Sequence, residues 1–390
     1  MGKKRLRIAV ATSSRSDFGL IRPTLRYLFQ QDPDGVELLC LGRAAVLDSE
    51  YLRDGIGDVS IVRIGPDGNK ESLTSSHETI MSLSQITARV SEWLSADDIS
   101  RDWILIPGDR FEIFAATIAS YYNNVPVAHL FAGDRSEGGH QDDSVRHAIS
   151  RLAHQHFAVC EDSYRRLLAM GEEPWRVHNV GSPVVESVHE VVDGMEVNLG
   201  KLIETRRYNI ICTYHPITTE PERAGEQFQA IIAAFDLLQS RLDAAVLFTP
   251  PNNENGSGAI QKLLAEQRNR PNRYVFADLG WKRYLQTVSQ CDLVVGNSSS
   301  AMLEAPILGV PALDVGTRQR GRFSPSSVRH IEQYDVARIA AVMEEVLKDG
   351  RGDVQHPYGD GNASRQIFET LRALSSTKSK GQILRKRITY

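Results

Sequence analysis

The feature that most limits how this chain can fold is a rhythm stated twice: short apolar runs alternate with longer amphipathic stretches. In the first half the runs are LRIAVATSS, VELLCLG, DWILIPGD, VPVAHLFAG and HQHFAVC. In the second they are YNIICTYH, AAVLFTPPN, RYVFADLG, CDLVVGN and PALDVG. Between them lie segments with helical apolar spacing, such as LIRPTLRYLFQQ, ETIMSLSQITARVSEWLSA, RFEIFAATIASYYN, EQFQAIIAAFDLLQSRL and SSAMLEAPILG. A strand that is apolar along its whole length is covered on both faces, as in a parallel sheet flanked by helices. The pattern predicts an α/β chain of two Rossmann-type doubly wound domains, a number that suits 390 residues. Periodicity lapses in NVGSPVVESVHEVVDGMEVN, which puts the expected domains at 1–186 and 187–365. Residues 366–390 are then a C-terminal helix and a basic, polar tail, SSTKSKGQILRKRITY, expected to fray in solvent.

Composition excludes several classes of function. The formal net charge of -4 lacks the basic excess of a general nucleic-acid binder. No run approaches the roughly 20 apolar residues that span a bilayer. The start, MGKKRLRIAVATSS, reads as a first strand and not as a signal peptide. Cys40, Cys160, Cys212 and Cys291 lie far apart with no CxxC pair, so a reducing cytoplasm is expected, with no disulfide framework or zinc site. His147, His154 and His156 straddle a helix end and a strand start, which favours structural roles over metal binding. The Arg351-Gly352-Asp353 tripeptide is a chance match to an adhesion motif. No GxGxxG, Walker A loop or GxSxG elbow is present, and no cofactor or metal is expected.

Doubly wound sheets bind ligands beyond the carboxyl ends of their strands, so polar residues at those ends are the candidates. Arg15, in TSSRSDFGLIRP, either grips a phosphate or carboxylate by paired hydrogen bonds or sits in water. Asp109, in LIPGDRFEIF, either caps the next helix or presents a carboxylate to the ligand, with Arg110 beside an anionic leaving group. The stretch VPVAHLFAGDRSEGGHQDDSVRHAISRLAH sends a strand into a loop with Asp134, Asp142 and Asp143, followed by a helix carrying Arg146 and His147. His215, in TYHPITTEPE, is a phosphate ligand, a proton shuttle or a structural residue. In DLVVGNSSSAMLEAPILGVP a strand ends at Gly296 and Ser298, Ser299 and Ser300 follow. They either cap a helix or, with its N–H groups and dipole, bind phosphate. Glu304 could accept ribose hydroxyls, and Arg318, Arg320 and Arg322 either complete a phosphate site or are solvated charges.

Taken in order, SRSDFGLIRP, GDRFEIF, AGDRSEGGHQDDSVRHAISRLAH, TYHPITTE, PNNENG, LGWKRYL and GNSSSAMLEAPILGVPALDVGTRQRGR resemble the hydrolysing UDP-N-acetylglucosamine 2-epimerases. The resemblance implies a glycosyltransferase-B-like fold, with the nucleotide sugar in the cleft between two Rossmann-type domains. It implies a C-terminal helix packed back on the first domain. The implied reaction eliminates UDP across carbons 1 and 2 and then adds water, giving a free 2-epimerised sugar of the kind used for sialic acids. Arg15, Arg110, Asn252, Ser298, Ser299, Glu304 and Arg318 or Arg322 would hold UDP, with His215 beside them. Asp109 and Asp142 match acidic residues assigned to proton transfer. The family commonly forms homo-oligomers, a dimer or tetramer, and the SRLAHQ segment is a candidate dimer element.

Two departures fall on the sugar side. Where the family carries a Glu or His after this strand, the chain has Phe131, which cannot move a proton. Where the family has a His in T-G-M-H-L, the chain has Arg43-Ala44-Ala45. An epimerase reading therefore needs Asp134, Asp142 or Asp143 to cover the missing groups. The alternatives are a relative that hydrolyses, eliminates or transfers from a nucleotide sugar without 2-epimerisation, and a binding protein with little catalysis.

Overall fold

The computed structural model describes residues 5–65, 76–96, 100–135, 140–194, 196–217, 219–251, 255–277, 279–352 and 356–389. The chain forms two compact units. One comprises Met1–Asp134, Gln141–Glu186 and Pro357–Tyr390, and the other Arg135–His140 and Ser187–His356. Residues 357–365, expected with the second domain, group with the first unit instead.

The first unit holds strands β1 (Ile8–Thr12), β2 (Val36–Leu41), β3 (Ser60–Ile64), β4 (Trp103–Pro107), β5 (Val127–Leu130), β6 (Gln155–Ala158) and β7 (Val177–Asn179). All pair in parallel in the order β3-β2-β1-β4-β5-β6-β7. The connecting helices include α1 (Arg15–Gln31), α2 (Ser49–Arg53), α3 (Ser76–Ala96), α4 (Phe111–Tyr122), α5 (His140–Leu152), α6 (Glu161–Ala169) and α7 (Pro183–Asp193). The order reverses between β1 and β4, and the loops there lead to Arg15 and Asp109.

The second unit repeats the plan. After α8 (Leu199–Leu202) come β8 (Tyr208–Thr213), α9 (Ala224–Gln239), β9 (Ala244–Thr249), α10 (Ser257–Gln267), β10 (Arg273–Val275) and α11 (Gly280–Ser289). Then follow β11 (Leu293–Gly296), α12 (Glu304–Ile307), β12 (Ala312–Val315), β13 (Val328–Ile331) and α13 (Val336–Asp349). The sheet order is β10-β9-β8-β11-β12-β13, all parallel. Alternate strand residues feed the two faces: Ile210, Val246 and Phe248 pack with Phe228 and Phe235, whereas Ile211, Ala245 and Leu247 pack with Met302 and Val310. This two-sided burial is why the central strands read as unbroken apolar runs.

Three strands were not expected: β3, β7 and β13. Each lies at a sheet edge and carries polar, partly exposed residues such as Ser60, Arg63, Asn179, Arg329 and His330. A second difference lies at SSAMLEAPILG, expected as one helix. Ser299–Ala301 form a single 3₁₀ turn, and α12 has only four residues. Pro306 has no N–H to continue an α-helical ladder, and Gly309, at φ 66°, ends the segment.

The C-terminal helix α14 (Ala363–Thr377) packs on α1: Phe368 meets Tyr27 edge-on at 6.1 Å, and Thr24 and Ser364 share a hydroxyl contact at 3.2 Å. Beyond it the tail does not fray. Ser379 and Gln382 form a capping box that opens α15 (Lys380–Leu384). Buried Arg176 then donates to the carbonyls of Ile383 at 2.7 Å and Arg385 at 2.6 Å, and to His154 at 3.0 Å. Lys386 Nζ donates to the Ser150 and Arg151 carbonyls at 3.1 and 2.9 Å, capping the last turn of α5. It also pairs at 2.8 Å with Glu172, which Arg151 and His156 contact as well. The expectation failed because a basic composition signals solvent only where no buried acceptors wait for the cations. The SRLAHQ segment, a candidate dimer element, gives its Ser150, Arg151 and His154 carbonyls to Lys386 and Arg176 of the same chain.

His154 and His156 are buried and structural. His154 Nδ1 accepts from the Val127 N–H at 3.1 Å, and His156 Nε2 donates to Glu172 at 3.0 Å. His129 on β5 bridges Ser150 at 3.0 Å and the Gly108 carbonyl at 2.7 Å. Burial pushes all three below the ordinary 6.5, to about 3 for His129 and His154 and about 4 for His156. The unfolded chain therefore binds protons that the folded chain refuses. Their contribution is complete above pH 6.5 and is lost as pH falls toward 4 and 3, each histidine costing up to about 1.4 kcal/mol per pH unit. Urea titrations at pH 7, 6, 5 and 4 should show stability falling monotonically across that window. Arg176→Ala should cost about 3–5 kcal/mol in the same assay, because it strands Glu173 and three carbonyls, and should make the tail sensitive to protease.

Candidate functional site

In the first unit the candidate residues converge on Arg146. Its side chain is 4% exposed and reaches from α5 to the carboxyl ends of β4 and β5. Arg146 Nη2 pairs with Asp109, and Nη1 lies 3.7 Å from Asp134 Oδ2 and donates to the Phe131 carbonyl at 3.3 Å. Asp109 is therefore not the helix cap: Arg110 occupies that place in α4 and makes no side-chain capping bond. Phe131 is 7% exposed and adopts φ 62°, a left-handed conformation uncommon for a bulky residue. What the strand end presents to Arg146 is thus the Phe131 carbonyl. Asp142 and Asp143 lie in the first turn of α5, where carboxylates complement the helix dipole, and Asp143 is 3.7 Å from His147.

Arg110 and Arg15 stand apart from that cluster. Arg110 forms a two-pronged contact with Glu112, both distances 3.3 Å, and lies 3.9 Å from Asp17. Burial opposes its charge, but Glu112 and Asp17 more than offset this and hold Arg110 above its ordinary value. Asp17 is pushed up by burial, against the pull of Arg110 and Ser13. Arg15 opens α1 exposed and lies 4.9 Å over the Tyr51 ring. Arg43, Ala44 and Ala45 fall in a 3₁₀ turn after β2.

In the second unit the hub is Asn297, a residue that the strand-end reading passed over. It is fully buried, and its side chain grips the His215 backbone twice: His215 N–H donates to Oδ1 at 2.7 Å, and Nδ2 donates to the His215 carbonyl at 2.8 Å. The Asn297 carbonyl in turn accepts from Arg318 at 3.3 Å and Gln319 at 2.8 Å. His215 is held neutral, lowered to about 3 by burial and by the Arg318 charge. Gly296 allows this close approach: at φ 131°, a Cβ there would overlap the Thr213 carbonyl. Ser298 caps its own turn through Ser300 N–H at 3.3 Å, Ser299 is exposed, and Ser300 accepts from Tyr284 at 3.0 Å. Burial pushes the Tyr284 hydroxyl to about 12. Glu304 is pushed up by burial, with Arg322 pulling it down, and its Oε2 is buried with no hydrogen-bond partner. The expected helix dipole behind the serines is missing, because α12 is too short to supply one. Asn252 lies outside the described residues.

Comparison with known proteins decides what this arrangement belongs to. Residues 60–372 match the model of the UDP-N-acetylglucosamine 2-epimerase family. The chain belongs to that family. Among similar epimerases, the UDP-N,N'-diacetylbacillosamine 2-epimerase (hydrolyzing) of Legionella pneumophila is 29% identical over 385 residues, covering 94% of this chain and 96% of the relative. The UDP-N-acetylglucosamine 2-epimerase of Neisseria meningitidis serogroup B is 28% identical over 381 residues, covering 93% of each. A Neisseria meningitidis UDP-GlcNAc 2-epimerase solved with UDP-GlcNAc superposes with a TM-score of 0.76 at 19% identity, over 94% of this chain and 99% of that one. The two doubly wound units are those of a glycosyltransferase-B-like 2-epimerase.

Among the described residues of this epimerase-family chain, no group of three or more His, Cys, Asp or Glu could hold a metal, and no helix is long and apolar enough to cross a membrane. Asn297→Ala should remove the two hydrogen bonds that its side chain makes to the buried His215 backbone, a loss of about 2–4 kcal/mol in urea unfolding.

Proposed function

We propose that the chain is a hydrolysing 2-epimerase that takes a UDP-linked 2-acetamido sugar to UDP and the free 2-epimer. The observation that carries this is the cluster at the ends of β4 and β5, where two carboxylates, Asp109 and Asp134, share one buried guanidinium. It sits in a chain whose family model spans residues 60–372. The names of the relatives support the chemistry, one acting on a UDP-N-acetylglucosamine and another on a diacetylated bacillosamine derivative.

In this reading the second unit holds the nucleotide. Ser298 and Ser299 bind it, and Glu304 accepts ribose hydroxyls through its unpartnered oxygen. Arg318 and Arg322 stabilise the departing diphosphate. Charge that builds on the leaving oxygen is met by groups already in position, which is the largest source of rate in such steps. His215, neutral and fixed through its backbone, serves as a hydrogen-bond partner and not as a standing cation. Asp109, Asp134, Asp142 and Asp143 divide the proton work: one carboxylate removes the carbon 2 hydrogen as UDP leaves carbon 1, and another delivers the proton on the opposite face as water adds. Phe131 offers no proton and lends an apolar wall.

No oxidation is involved and no redox cofactor is required. All four cysteines are free and buried, which supports a cytoplasmic setting, and a homo-oligomer remains part of the proposal.

Incubation with UDP-N-acetylglucosamine in deuterated water, followed by proton NMR, tests the reading. The expected product is free N-acetylmannosamine bearing deuterium at carbon 2. UDP release with the carbon 2 proton retained would sink epimerisation and leave hydrolysis. Asp142→Asn should lower kcat by about 10²–10⁴-fold with UDP affinity unchanged.

A further inference from the structure

The loop from Gly316 to Ser324 carries Arg318, Arg320 and Arg322, and the contacts that fasten it include one near its start and one at its far end. Near its start, Arg318 and Gln319 donate to the Asn297 carbonyl. At its far end stands a chain of three side chains to which the proposed reaction gives no role. Asp314 on β12 and His330 on β13 are partners in the parallel register, which puts both side chains on one face of the sheet. Asp314 Oδ2 is 3.0 Å from His330 Nδ1, and His330 Nε2 is 2.5 Å from the Ser324 hydroxyl. Asp314 is 1% exposed and accepts the Nδ1 proton. In the neutral ring Nε2 then carries the lone pair, and Ser324 O–H donates to it. Pro325 follows and restricts Ser324 to extended backbone, so the hydroxyl anchor also sets the direction in which the loop leaves.

We propose that Asp314, His330 and Ser324 are positioning residues: a hydrogen-bond relay that pins the far end of the arginine loop to β12 and β13 and so holds Arg318 and Arg322 where a nucleoside diphosphate binds. The proposal rests on the reading of that loop as the UDP side. Binding energy from an arginine fork depends on where the fork is held, and a loop without its far anchor would have to be ordered in part by the ligand itself. The relay removes that cost before binding. Its middle member is essential: the imidazole is what joins Ser324 to Asp314.

Calorimetry on the full chain with UDP and, separately, with uridine tests this. Ser324→Ala, His330→Ala and Asp314→Asn should each weaken UDP binding about tenfold, a modest coupling on the scale of 1.4 kcal/mol per decade. Uridine affinity should stay unchanged, because it lacks the diphosphate; a merely structural role would weaken both. The double variant Ser324→Ala/His330→Ala should be no weaker than either single one, and Ser324→Thr, which keeps the hydroxyl, should restore affinity. Wild-type UDP affinity in all three variants would overturn the relay while leaving the nucleotide site standing. A wild-type chain that binds no UDP would overturn both. Covalent labelling of Ser324 by a fluorophosphonate would make it a nucleophile and overturn its positioning role.

Discussion

A guanidinium stays charged at any pH a protein meets, and one that is 4% exposed must find carboxylates and carbonyls or destabilise the fold. Arg146 finds Asp109 from the loop after β4, Asp134 from the loop after β5 and the Phe131 carbonyl between them, while itself standing on α5. Three separate stretches of chain are thereby drawn to one point. The unusual backbone of Phe131 follows from this. A left-handed residue turns the strand end so that its carbonyl meets Nη1, and Gly133, at φ 76°, completes the turn before Asp134. The role of that strand end toward Arg146 is carried by the backbone, so an apolar side chain at position 131 leaves the charge cluster intact.

The same logic extends to the other end of α5. Its N-terminal turn bears Asp142 and Asp143, and its last turn is closed by Lys386 from the tail. Glu172 joins Lys386, Arg151 and His156 in one network, and its carboxyl is drawn down to about 2 because His156 and Lys386 outweigh its burial. The helix that supplies Arg146 is held at its C-terminal end by the last residues of the chain, so the tail contributes to the site without approaching it.

How much of this was legible in the sequence depends on range. The central strands were, because burial on both faces writes itself as unbroken apolar runs; edge strands β3, β7 and β13 were not, because solvent on one side admits Arg63 or His330. The strand-end rule named Asp109, Asp134, His215 and Ser298 as candidates. It could not say that Asp109 answers Arg146 thirty-seven positions away, or that Asn297 clasps His215 across eighty-two. Such partners are set by sheet order, which spacing along the chain does not carry. A signal for Asn297 did exist: a polar residue directly after Gly296 at the end of a buried strand must be paired internally, and the backbone of the neighbouring strand is the nearest partner. The tail misled for the converse reason, since nothing in SSTKSKGQILRKRITY announces acceptors buried elsewhere.

The broken helix after Gly296 shifts the electrostatic work of the second unit. A full helix would place roughly half a positive charge behind the serines. A single 3₁₀ turn and the four residues of α12 cannot. On the proposed reading, the whole charges of Arg318 and Arg322 must then meet the diphosphate, and a whole charge on a loop is only as useful as the loop is fixed. The loop begins at Gly316, at φ 98°, where a Cβ would strike the Tyr334 hydroxyl, and Tyr334 is itself held by Tyr214 at 2.6 Å. It passes the Asn297 carbonyl and ends at Ser324 on the imidazole of His330. On that reading, the asparagine and the histidine–aspartate pair of β12 and β13 do by tethering what a longer helix would have done by its dipole.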